Sequence, residues 1–372
     1  MLKTCHILAN YYPLYAAPFE YTRKLVKAGI DVDLVCLNRG SEPAVENIDG
    51  VQVTRINLPI RKIAATFRYL KIITKLLEQS HCDIVHVYCF RGCGILPLLS
   101  KKSYRKILID IRSGSVSHQR FKSRLSNFMT RLEASTYDGI ICVDQRVAHS
   151  VLGKKGANYI VPLGADFEKF KPYSNSRLRD EIGIKKNQIV VIFVSNLNHE
   201  RNPYRVLKAF EKAATGHPQL VLLLVGAGSE MEEMRKMASK APLRGKVIFA
   251  GQIPYHNVQE YLACGDIGLS YVPINGQYDL QPPLKTVEYL AAGLPMVATR
   301  TKGNMQFIRD DFNGVLVDDN EEAISQGICR LIEDSKLYND ISKEARRSVL
   351  NYDWTHIVKQ NLLPAYKSML KI

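Results

Sequence analysis

The stretch Pro282-Pro283-Leu284-Lys285-Thr286-Val287-Glu288-Tyr289-Leu290-Ala291-Ala292-Gly293-Leu294-Pro295-Met296-Val297-Ala298 predicts a loop, a short helix, a tight turn and a buried strand. The prolines set φ at the helix start, and the amides that follow remain unsatisfied donors that attract an anion. Lys285 lies in the first turn, where the helix dipole disfavours a cation, so a negative ligand shared with these amides would remove the conflict. Glu288, one turn later, can accept two hydrogen bonds from a vicinal diol such as a ribose. An amphipathic helix with a surface lysine and glutamate is the alternative.

The same stretch resembles the nucleotide-sugar signature of the family 4 glycosyltransferases, in which a Glu, seven residues and a second Glu precede an Ala-rich Gly-x-Pro-Val-Val turn. Glu288 falls on the second Glu, which holds the donor ribose in the family, and Gly293, Pro295 and Val297 fall on the turn. The first Glu would stand at Leu280, and a leucine cannot bond a sugar hydroxyl. The alternatives for its role are Asp279, Gln281 and Lys285.

Size and composition suggest two domains of a globular protein. The 372 residues are 46% hydrophobic, which suits two cores of roughly 150 to 200 residues each. Nothing approaches about eighteen uninterrupted apolar residues, and Met1–His6 runs into a strand without a cleavage site, so we expect neither a membrane span nor secretion. The eight cysteines show no C-x-x-C or His-pair spacing. We expect reduced core residues of a cytoplasmic protein, with Cys5, Cys36, Cys89 and Cys142 in or beside apolar strands.

The positive charge is concentrated in the first half of the chain. Residues 1–170 hold 25 Lys and Arg against 14 Asp and Glu, a surplus of 11, whereas the remainder holds 26 against 22, a surplus of 4. Such a surface attracts nucleic acid, anionic lipid or a phosphorylated substrate, and composition alone does not choose among them.

Short apolar runs alternate with helical segments along the chain, which predicts parallel sheets covered on both faces. A helix from Phe19 to Ala28 ends at Gly29. The predicted strands are Leu2–Ala9, Val32–Leu37, Val51–Ile56, Ile84–Val87, Ile107–Ile111, Gly139–Val143, Ile189–Val194, Leu220–Val225, Val247–Ala250, Ile267–Tyr271, Met296–Ala298 and Gly314–Val317.

A turn-rich linker around Val161–Asp166 predicts the domain boundary and resembles the family's Pro-Asn-Gly-Val-Asp hinge. The expected fold class is α/β: the resemblance implies the GT-B architecture, with two doubly wound Rossmann-like domains facing a central cleft. We expect an acceptor-side domain over 1–168, a nucleotide-sugar-binding domain over 169–353, and a helix over 354–372 that crosses back to the first domain.

The loop Ser195–Pro203 follows the first strand of the second domain. In the family this loop carries an Arg and then a Lys that grip the donor diphosphate, and here Asn196 and Arg201 stand in those places. A guanidinium can bind two phosphate oxygens, so Arg201 would neutralise leaving-group charge without a metal. The alternative is an exposed arginine in a surface loop.

Gly226-Ala227-Gly228-Ser229 follows a strand and opens a helix, with Ser229 and Glu232 at capping-box spacing. It is similar to a dinucleotide fingerprint, but Met231 occupies the third glycine position, which favours a structural turn. The family places the nucleotide nearby, which makes Gly226, Ile253 in Gly251-Gln252-Ile253, and Leu284 at the helix start candidates for donor binding.

The first domain offers weaker candidates. The loop Tyr11–Pro18 replaces the family's Gly-Gly turn, and its tyrosines either stack on an acceptor sugar or pack inside. The family's catalytic His position aligns with Ile109–Gly114, where Arg112 stands in its place. Asp110, Arg112 and His118 are therefore candidates of equal weight, although a structural role is favoured. Asp31-Val32-Asp33 leads into a strand and is also interpreted as structural.

Two helical segments carry the basic surplus. Over Arg61–Gln79 and His118–Glu133, helical projection separates apolar from basic residues, and a solvated basic face over the domain core would explain each one. Two such helices in one domain favour an anionic membrane surface. The apolar sides are Ile63, Phe67, Leu70, Ile73 and Leu77, and Phe121, Leu125, Phe128 and Leu132; the basic sides are Arg61, Arg68, Lys71 and Lys75, and Arg120, Arg124 and Arg131.

These features predict a glycosyltransferase of hexosyl or N-acetylhexosaminyl type that needs no cofactor and no metal. Arg201, Lys285, Arg112 and Asp110 are its catalytic candidates, and retention of anomeric configuration is implied by the resemblance alone. We expect a nucleotide-diphosphate-sugar donor, a lipid-linked or polysaccharide acceptor and peripheral attachment to the inner face of a membrane. The alternatives are a nucleotide-sugar epimerase of the same fold, which would act without an acceptor, and a basic nucleic-acid-binding protein, for which no recognised module is present.

Overall fold

The computed structural model describes residues 2–58, 63–100, 103–115, 119–276 and 278–372. The chain divides into two compact units. The first comprises the chain up to Leu163 together with Trp354–Ile372, and the second comprises Gly164–Asp353.

The first unit is built on an eight-stranded sheet with the order β3-β4-β2-β1-β5-β6-β7-β8, parallel except for the β3–β4 pair. Its strands are β1 (Lys3–Tyr11), β2 (Asp31–Leu37), β3 (Val45–Ile48), β4 (Val51–Ile56), β5 (Cys82–Tyr88), β6 (Tyr104–Ile111), β7 (Gly139–Cys142) and β8 (Tyr159–Ile160). Its helices before residue 164 are α1 (Ala16–Lys27), α2 (Ile63–Ser80), α3 (Leu96–Leu99), α4 (Arg120–Ala134) and α5 (Gln145–Leu152).

The second unit is built on a six-stranded, fully parallel sheet. Its helices are α6 (Ser176–Glu181), α7 (Tyr204–Gly216), α8 (Met231–Ala238), α9 (Val258–Leu262), α10 (Leu284–Ala291), α11 (Glu321–Glu333) and α12 (Ser335–Arg347). Two further helices, α13 (Trp354–Ile357) and α14 (Leu363–Leu370), belong to the first unit. Its strands are β9 (Ile189–Val194), β10 (Leu220–Val225), β11 (Val247–Gly251), β12 (Ile267–Ser270), β13 (Met296–Thr299) and β14 (Val315–Val317).

Both sheets reverse their strand order once. In the second unit the order is β11-β10-β9-β12-β13-β14, so the chain builds outward from β9 in one direction and then returns to place β12 on its other side. In the first unit the reversal lies between β1 and β5. At such a switch point the connections leave in opposite directions, which opens a crevice at the carboxyl ends of the two strands where ligands bind in doubly wound sheets.

The predicted strands are confirmed with small changes at their ends, because each is a run of apolar residues that the helices bury. The strands β3 and β8 were missed: β3 is an edge strand with little apolar sequence, and β8 has two residues. The first helix begins at Ala16 rather than Phe19. All eight cysteines are free thiols, as expected. None of the described helices is both long and apolar enough to cross a bilayer.

The two basic segments behave differently. In α2 the predicted apolar side is largely confirmed, because Leu70, Ile73 and Leu77 are buried, although Phe67 is exposed. In α4 the expectation that the apolar side covers the core is wrong, because its large apolar residues face solvent. Arg61 lies outside the described residues, as do the side chains of Ile63 and Arg120.

Candidate functional site

Lys285 lies at the switch point of the second sheet. It is in the first turn of α10, as predicted, but its side chain turns towards the strands rather than the helix start. Its Nζ donates a 2.7 Å hydrogen bond to the carbonyl oxygen of Tyr271, which follows β12, and lies 4.3 Å from the ring centroid of Phe193 on β9. The ammonium group is therefore in the crevice between β9 and β12.

Arg201 ends a single turn of 3₁₀ helix, His199–Arg201, in the loop after β9. Asn202 follows with φ of 46°, a left-handed conformation that asparagine tolerates better than most residues, and the chain then enters α7. The guanidinium carbon lies 4.2 Å from the ring centroid of Tyr278. The loop thus holds the guanidinium against an aromatic face, where a cation is stabilised without being neutralised.

The charges of Lys285 and Arg201 act on each other. Burial holds the pKa of Lys285 well below its usual value, and the positive charge of Arg201 lowers it further. Burial also lowers the pKa of Arg201. Over the ranges that the structure describes, neither side chain has a carboxylate ion-pair partner, and no carboxylate contributes to the pKa shift of either group. A partly buried pair of cations without an anion is unfavourable, and a bound phosphate would relieve it.

Glu288 lies three residues after Lys285 on α10 and is 3% exposed. Residues three apart in a helix lie on neighbouring positions of its surface, so α10 carries both groups. Leu284 is the first residue of the same helix and is half-buried. The interactions predicted for Glu288 and Leu284 with the donor stay predictions.

A buried polar network fixes α10 to the ends of β12 and β13. The side-chain nitrogen Nδ2 of Asn304 donates to the carbonyl oxygens of Thr299 (2.7 Å) and Ser270 (3.2 Å). Its Oδ1 accepts from the hydroxyl of Thr286 at 2.8 Å. The phenol oxygen of Tyr289 accepts from the N–H of Val194 at 2.8 Å, which ties the helix to β9 as well. These bonds set where Lys285 and Glu288 stand relative to the sheet.

Gly226 and Gly228 serve a structural purpose that the sequence analysis favoured. A Cβ on Gly226 would lie 1.9 Å from the carbonyl oxygen of Ser195, and one on Gly228 would lie 2.2 Å from the carbonyl carbon of Leu197. Only glycine therefore lets the loop after β10 pack on the loop that carries Arg201. Whether Gly226 also contacts a donor stays a prediction.

The remaining donor-side candidates lie around these loops. Asn196 is exposed, and Ile253 is half-buried just after β11. The predicted capping box of Ser229 and Glu232 is wrong: α8 begins at Met231 without a side-chain cap. The N–H of Ser229 instead donates to the side chain of Asn198 at 3.0 Å, a long-range contact that local spacing does not reveal.

In the first unit, Asp110 and Arg112 are brought together at the end of β6. Asp110 is fully buried, and its carboxylate lies 3.0 Å from Nε of Arg112 and 3.1 Å from Nε2 of His86. Nδ1 of His86 lies 2.7 Å from the hydroxyl of Tyr366 on α14. Arg112 also donates to the carbonyl oxygen of Val161 and to the hydroxyl of Tyr21. This cation is therefore already matched by a carboxylate.

The other first-unit candidates have mostly structural contacts. Tyr12 is buried and its hydroxyl lies 3.0 Å from that of Thr22, whereas Tyr15 is exposed. Lys3 lies 3.0 Å from the carboxylate of Asp33 and 3.8 Å from that of Asp31, which agrees with the structural interpretation of this pair. His118 lies outside the described residues.

Several residues of the site were not found from the sequence. Phe193, Tyr271 and Tyr278 provide the aromatic and carbonyl surroundings of the two cations, and Asn304 is the centre of the network. The available signal was that Phe193 and Tyr271 lie at the ends of predicted strands that adjoin a switch point.

Among the residues that the structure describes, two other groups of side chains bring metal-ligating atoms together. Cys89, Cys93 and Glu133 meet in the first unit, but the Glu133 carboxylate already accepts from the N–H of Gly92 and contacts Arg91. In the second unit, His217 and Glu333 pair with each other at 3.0 Å beside Cys329. Neither group includes a residue of the α10 site.

Comparison with known proteins places both halves of the chain in one group of enzymes. The family model for group 1 glycosyl transferases matches residues 174–348, and the model for Glycosyltransferase Family 4 matches residues 19–169. The putative glycosyltransferase YtcC of Bacillus subtilis is 23% identical over 91% of this chain and 84% of its own length. The UDP-Gal:alpha-D-GlcNAc-diphosphoundecaprenol alpha-1,3-galactosyltransferase of Escherichia coli is 25% identical over 86% of this chain and 84% of its own length.

Solved structures share the fold. Sucrose-phosphate synthase from Thermosynechococcus elongatus superposes with a TM-score of 0.82 at 18% identity, over 99% of both chains. HepE of Anabaena in complex with UDP-glucose superposes with a TM-score of 0.79 at 17% identity, over 98% of this chain and 99% of that chain. The predicted GT-B fold is thus confirmed. The chain belongs to the family 4 glycosyltransferases, and it is a glycosyltransferase.

Proposed function

We propose that this glycosyltransferase moves a hexosyl or N-acetylhexosaminyl group from a nucleotide-diphosphate-sugar to a lipid-linked or polysaccharide acceptor at the cytoplasmic face of a membrane. The proposal includes transfer with retention of anomeric configuration and without a metal. The observation that carries it is the pair of cations, Lys285 and Arg201, at the switch point of the second sheet without a carboxylate partner among the described residues.

The proposed reaction needs positive charge where the diphosphate leaves. When the bond between the anomeric carbon and the diphosphate breaks, negative charge accumulates on the phosphate oxygens. Fixed cations in a partly buried site stabilise this charge strongly, because the protein and not the solvent supplies the compensating field. Lys285 and Arg201 are held by Tyr271, Phe193 and Tyr278, so they need little rearrangement when the charge develops.

Glu288 supplies the second contact of the proposed donor site. A carboxylate accepts hydrogen bonds only, so it suits the two hydroxyl donors of a ribose. Its place one turn after Lys285 separates a diol-binding group from a phosphate-binding group along one helix, which matches the order of ribose and diphosphate in a nucleotide-sugar.

The comparisons support the choice of donor and acceptor class. HepE, a fold neighbour, is known in complex with UDP-glucose, and the Escherichia coli relative is named for UDP-Gal as donor and a sugar on diphosphoundecaprenol as acceptor. Both donors are nucleotide-diphosphate-sugars. The base and the sugar of the donor used by this chain are found by varying both in a binding panel.

The test begins with a thermal-shift panel of uridine, guanosine and adenosine diphosphates and their sugars. The best donor is then incubated with a sugar on diphosphoundecaprenol in detergent, with and without EDTA, and the product anomer is assigned by NMR. We expect acceptor-dependent release of the nucleoside diphosphate that EDTA does not abolish, and a product with the anomeric configuration of the donor. Strict dependence on an added divalent ion, inversion of configuration, or epimerisation of free donor without an acceptor would contradict the respective part of the proposal.

A further inference from the structure

The helix α4 presents its apolar side to solvent. Phe121 is 77% exposed, Leu125 and Phe128 are each 50% exposed, and Leu132 is 48% exposed. These four residues follow the spacing of one helical face, so they form a continuous line that we call the α4 ridge. Exposure of large apolar side chains to water is unfavourable, and a continuous exposed apolar patch marks a binding surface.

The opposite side of α4 is polar and holds the helix in this orientation. The side chain of Asn127 accepts a 3.0 Å hydrogen bond from the N–H of Ser115, and Oε1 of Glu133 accepts a 2.7 Å bond from the N–H of Gly92. A Cβ on Gly94 would lie 2.7 Å from Cα of Glu133, so the helix end packs directly on the backbone. If α4 turned its ridge towards the protein, these hydrogen bonds would be lost. The contacts of its polar side therefore stabilise the orientation in which the ridge is exposed.

The charges of α4 favour one kind of partner. Lys122, Arg124 and Arg131 are exposed beside the ridge, whereas the one acidic residue of the helix, Glu133, is buried against the unit. Apolar residues flanked by cations match a surface that is apolar inside and negative at its edge, which is the arrangement of an anionic bilayer. A second copy of the chain would instead bring the same cations together.

We propose that α4 lies in the surface of an anionic lipid bilayer, with the α4 ridge among the acyl chains and Lys122 and Arg124 at the head groups. The proposal deepens the proposed function, since it rests on an acceptor presented at a membrane and assigns the contact to one helix. It also changes the expected interaction: the sequence pattern suggested attraction by basic faces alone, whereas the exposed ridge adds burial of apolar surface.

The helix α2 provides a matched control within the same unit. Its inner residues Leu70, Ile73 and Leu77 are buried, so its apolar side is not free to enter a bilayer. It nevertheless carries two exposed apolar residues, Phe67 (54%) and Ile72 (36%). Replacing this pair removes exposed apolar surface without touching α4.

The experiment compares wild type, the double variant L125S/F128S and the control F67S/I72S by sedimentation with vesicles. One set of vesicles is phosphatidylcholine, and the other is an equal mixture of phosphatidylcholine and phosphatidylglycerol. We expect wild type and the control to bind the mixed vesicles and L125S/F128S to bind them at least about tenfold more weakly, because two apolar side chains no longer enter the acyl region. Phosphatidylcholine alone should bind wild type more weakly, since it lacks the net negative charge.

A fluorescence measurement checks insertion directly. In F128W the new indole should shift to shorter wavelength with mixed vesicles and be quenched by lipids brominated on the acyl chains, while the native Trp354, which is fully buried, gives a constant background. Equal vesicle binding by L125S/F128S and wild type, an unquenched F128W indole, or a wild-type dimer that L125S/F128S converts to monomer would each overturn the proposal.

The same samples separate this inference from the proposed function. Affinity for the nucleoside diphosphate that gives the largest thermal shift should be unchanged in L125S/F128S, because the altered residues belong to the first unit. Vesicle binding without any use of a nucleotide-sugar would leave the α4 assignment standing and defeat the proposed function. Sugar transfer with no vesicle binding would defeat the α4 assignment and leave the donor and acceptor chemistry of the proposed function standing.

Discussion

Partly buried cations have different partners in the two units of the molecule. In the first unit, Arg112 at the end of β6 has the carboxylate of Asp110 at 3.0 Å and is further bonded to Tyr21 and Val161. In the second unit, Lys285 and Arg201 have aromatic rings and one carbonyl oxygen around them and, within the described chain, no carboxylate.

This difference supports the second unit as the proposed binding place of an anion. A cation that is matched by a buried carboxylate gains little from a phosphate, because binding would add negative charge to a site that is already neutral. A pair of partly buried cations gains a great deal, because their mutual repulsion and their loss of hydration are both offset. We therefore infer that the diphosphate binds at the switch point of the second sheet and that Asp110 and Arg112 stabilise the first unit.

The largest expected effect is on stability, in the first unit. Asp110→Asn leaves Arg112 largely buried without its carboxylate and should lower the free energy of unfolding by about 3 to 5 kcal/mol. Chemical denaturation monitored by circular dichroism measures the loss. Affinity of the folded variant for a nucleoside diphosphate should stay the same. A change in affinity with unaltered stability would instead assign anion binding to the first unit.

The next effect is on turnover, in the second unit. Arg201→Ala removes one of the two cations that we propose to face the leaving diphosphate, and it should raise the barrier by about 2.7 to 4 kcal/mol, or roughly 100- to 1,000-fold in kcat. The measurement is release of nucleoside diphosphate at saturating donor and acceptor. As a control, Arg205→Ala removes a neighbouring arginine that already pairs with Asp319. A similar loss of kcat in both variants would indicate a general disturbance of the loop.

A smaller effect is expected at the ribose. Glu288→Gln replaces a charged acceptor by a neutral one of the same size and should weaken binding of a nucleoside diphosphate by about 1.5 to 3 kcal/mol. Calorimetry with the matching 2′,3′-dideoxy nucleotide provides the control, because a ligand without the two hydroxyls should bind wild type and variant alike. An undiminished penalty with the dideoxy ligand would place Glu288 away from the ribose.

The smallest expected effect is the dependence of nucleotide affinity and of stability on pH, which follows from the titration of Lys285. In the proposed site the ammonium form of Lys285 binds the anion, so affinity should be full below the lowered pKa of Lys285 and should fall as the pH rises through it, by at most about tenfold per pH unit. The nucleotide-free protein should show the opposite trend. Since the unfolded lysine binds its proton more readily, the free energy of unfolding rises with pH between the lowered pKa and the usual value of 10.5. Lys285→Arg should flatten both profiles, and a wild-type affinity that rises with pH would contradict the assignment.

The sequence predicted the parts of the molecule that depend on local pattern. Strands such as Leu220–Val225 are uninterrupted apolar runs, so their place in a buried parallel sheet needs no further information. Lys285 and Glu288 were proposed because they open a helix, and Arg201 because the family resemblance points to its loop; their roles in binding stay predictions.

The sequence could not predict features that distant residues decide. A helical pattern in α4 separates apolar from polar residues but does not say which side meets the protein. The orientation of α4 depends on the N–H groups of Gly92 and Ser115, which donate hydrogen bonds to side chains on the polar side of the helix. Likewise, the side-chain direction of Lys285 depends on Phe193 and Tyr271, which lie on two other segments.

The most direct test of the central claim is calorimetric titration of a nucleoside diphosphate into wild type, Lys285→Met and Arg112→Lys. Methionine keeps the length and apolar character of the lysine stem but removes the charge, and lysine keeps a charge at position 112. We predict that Lys285→Met weakens binding at least about tenfold, since a charge-assisted hydrogen bond is lost, while Arg112→Lys binds as wild type does. Unchanged affinity in Lys285→Met together with weakened affinity in Arg112→Lys would contradict the claim and place the diphosphate beside Arg112 in the first unit.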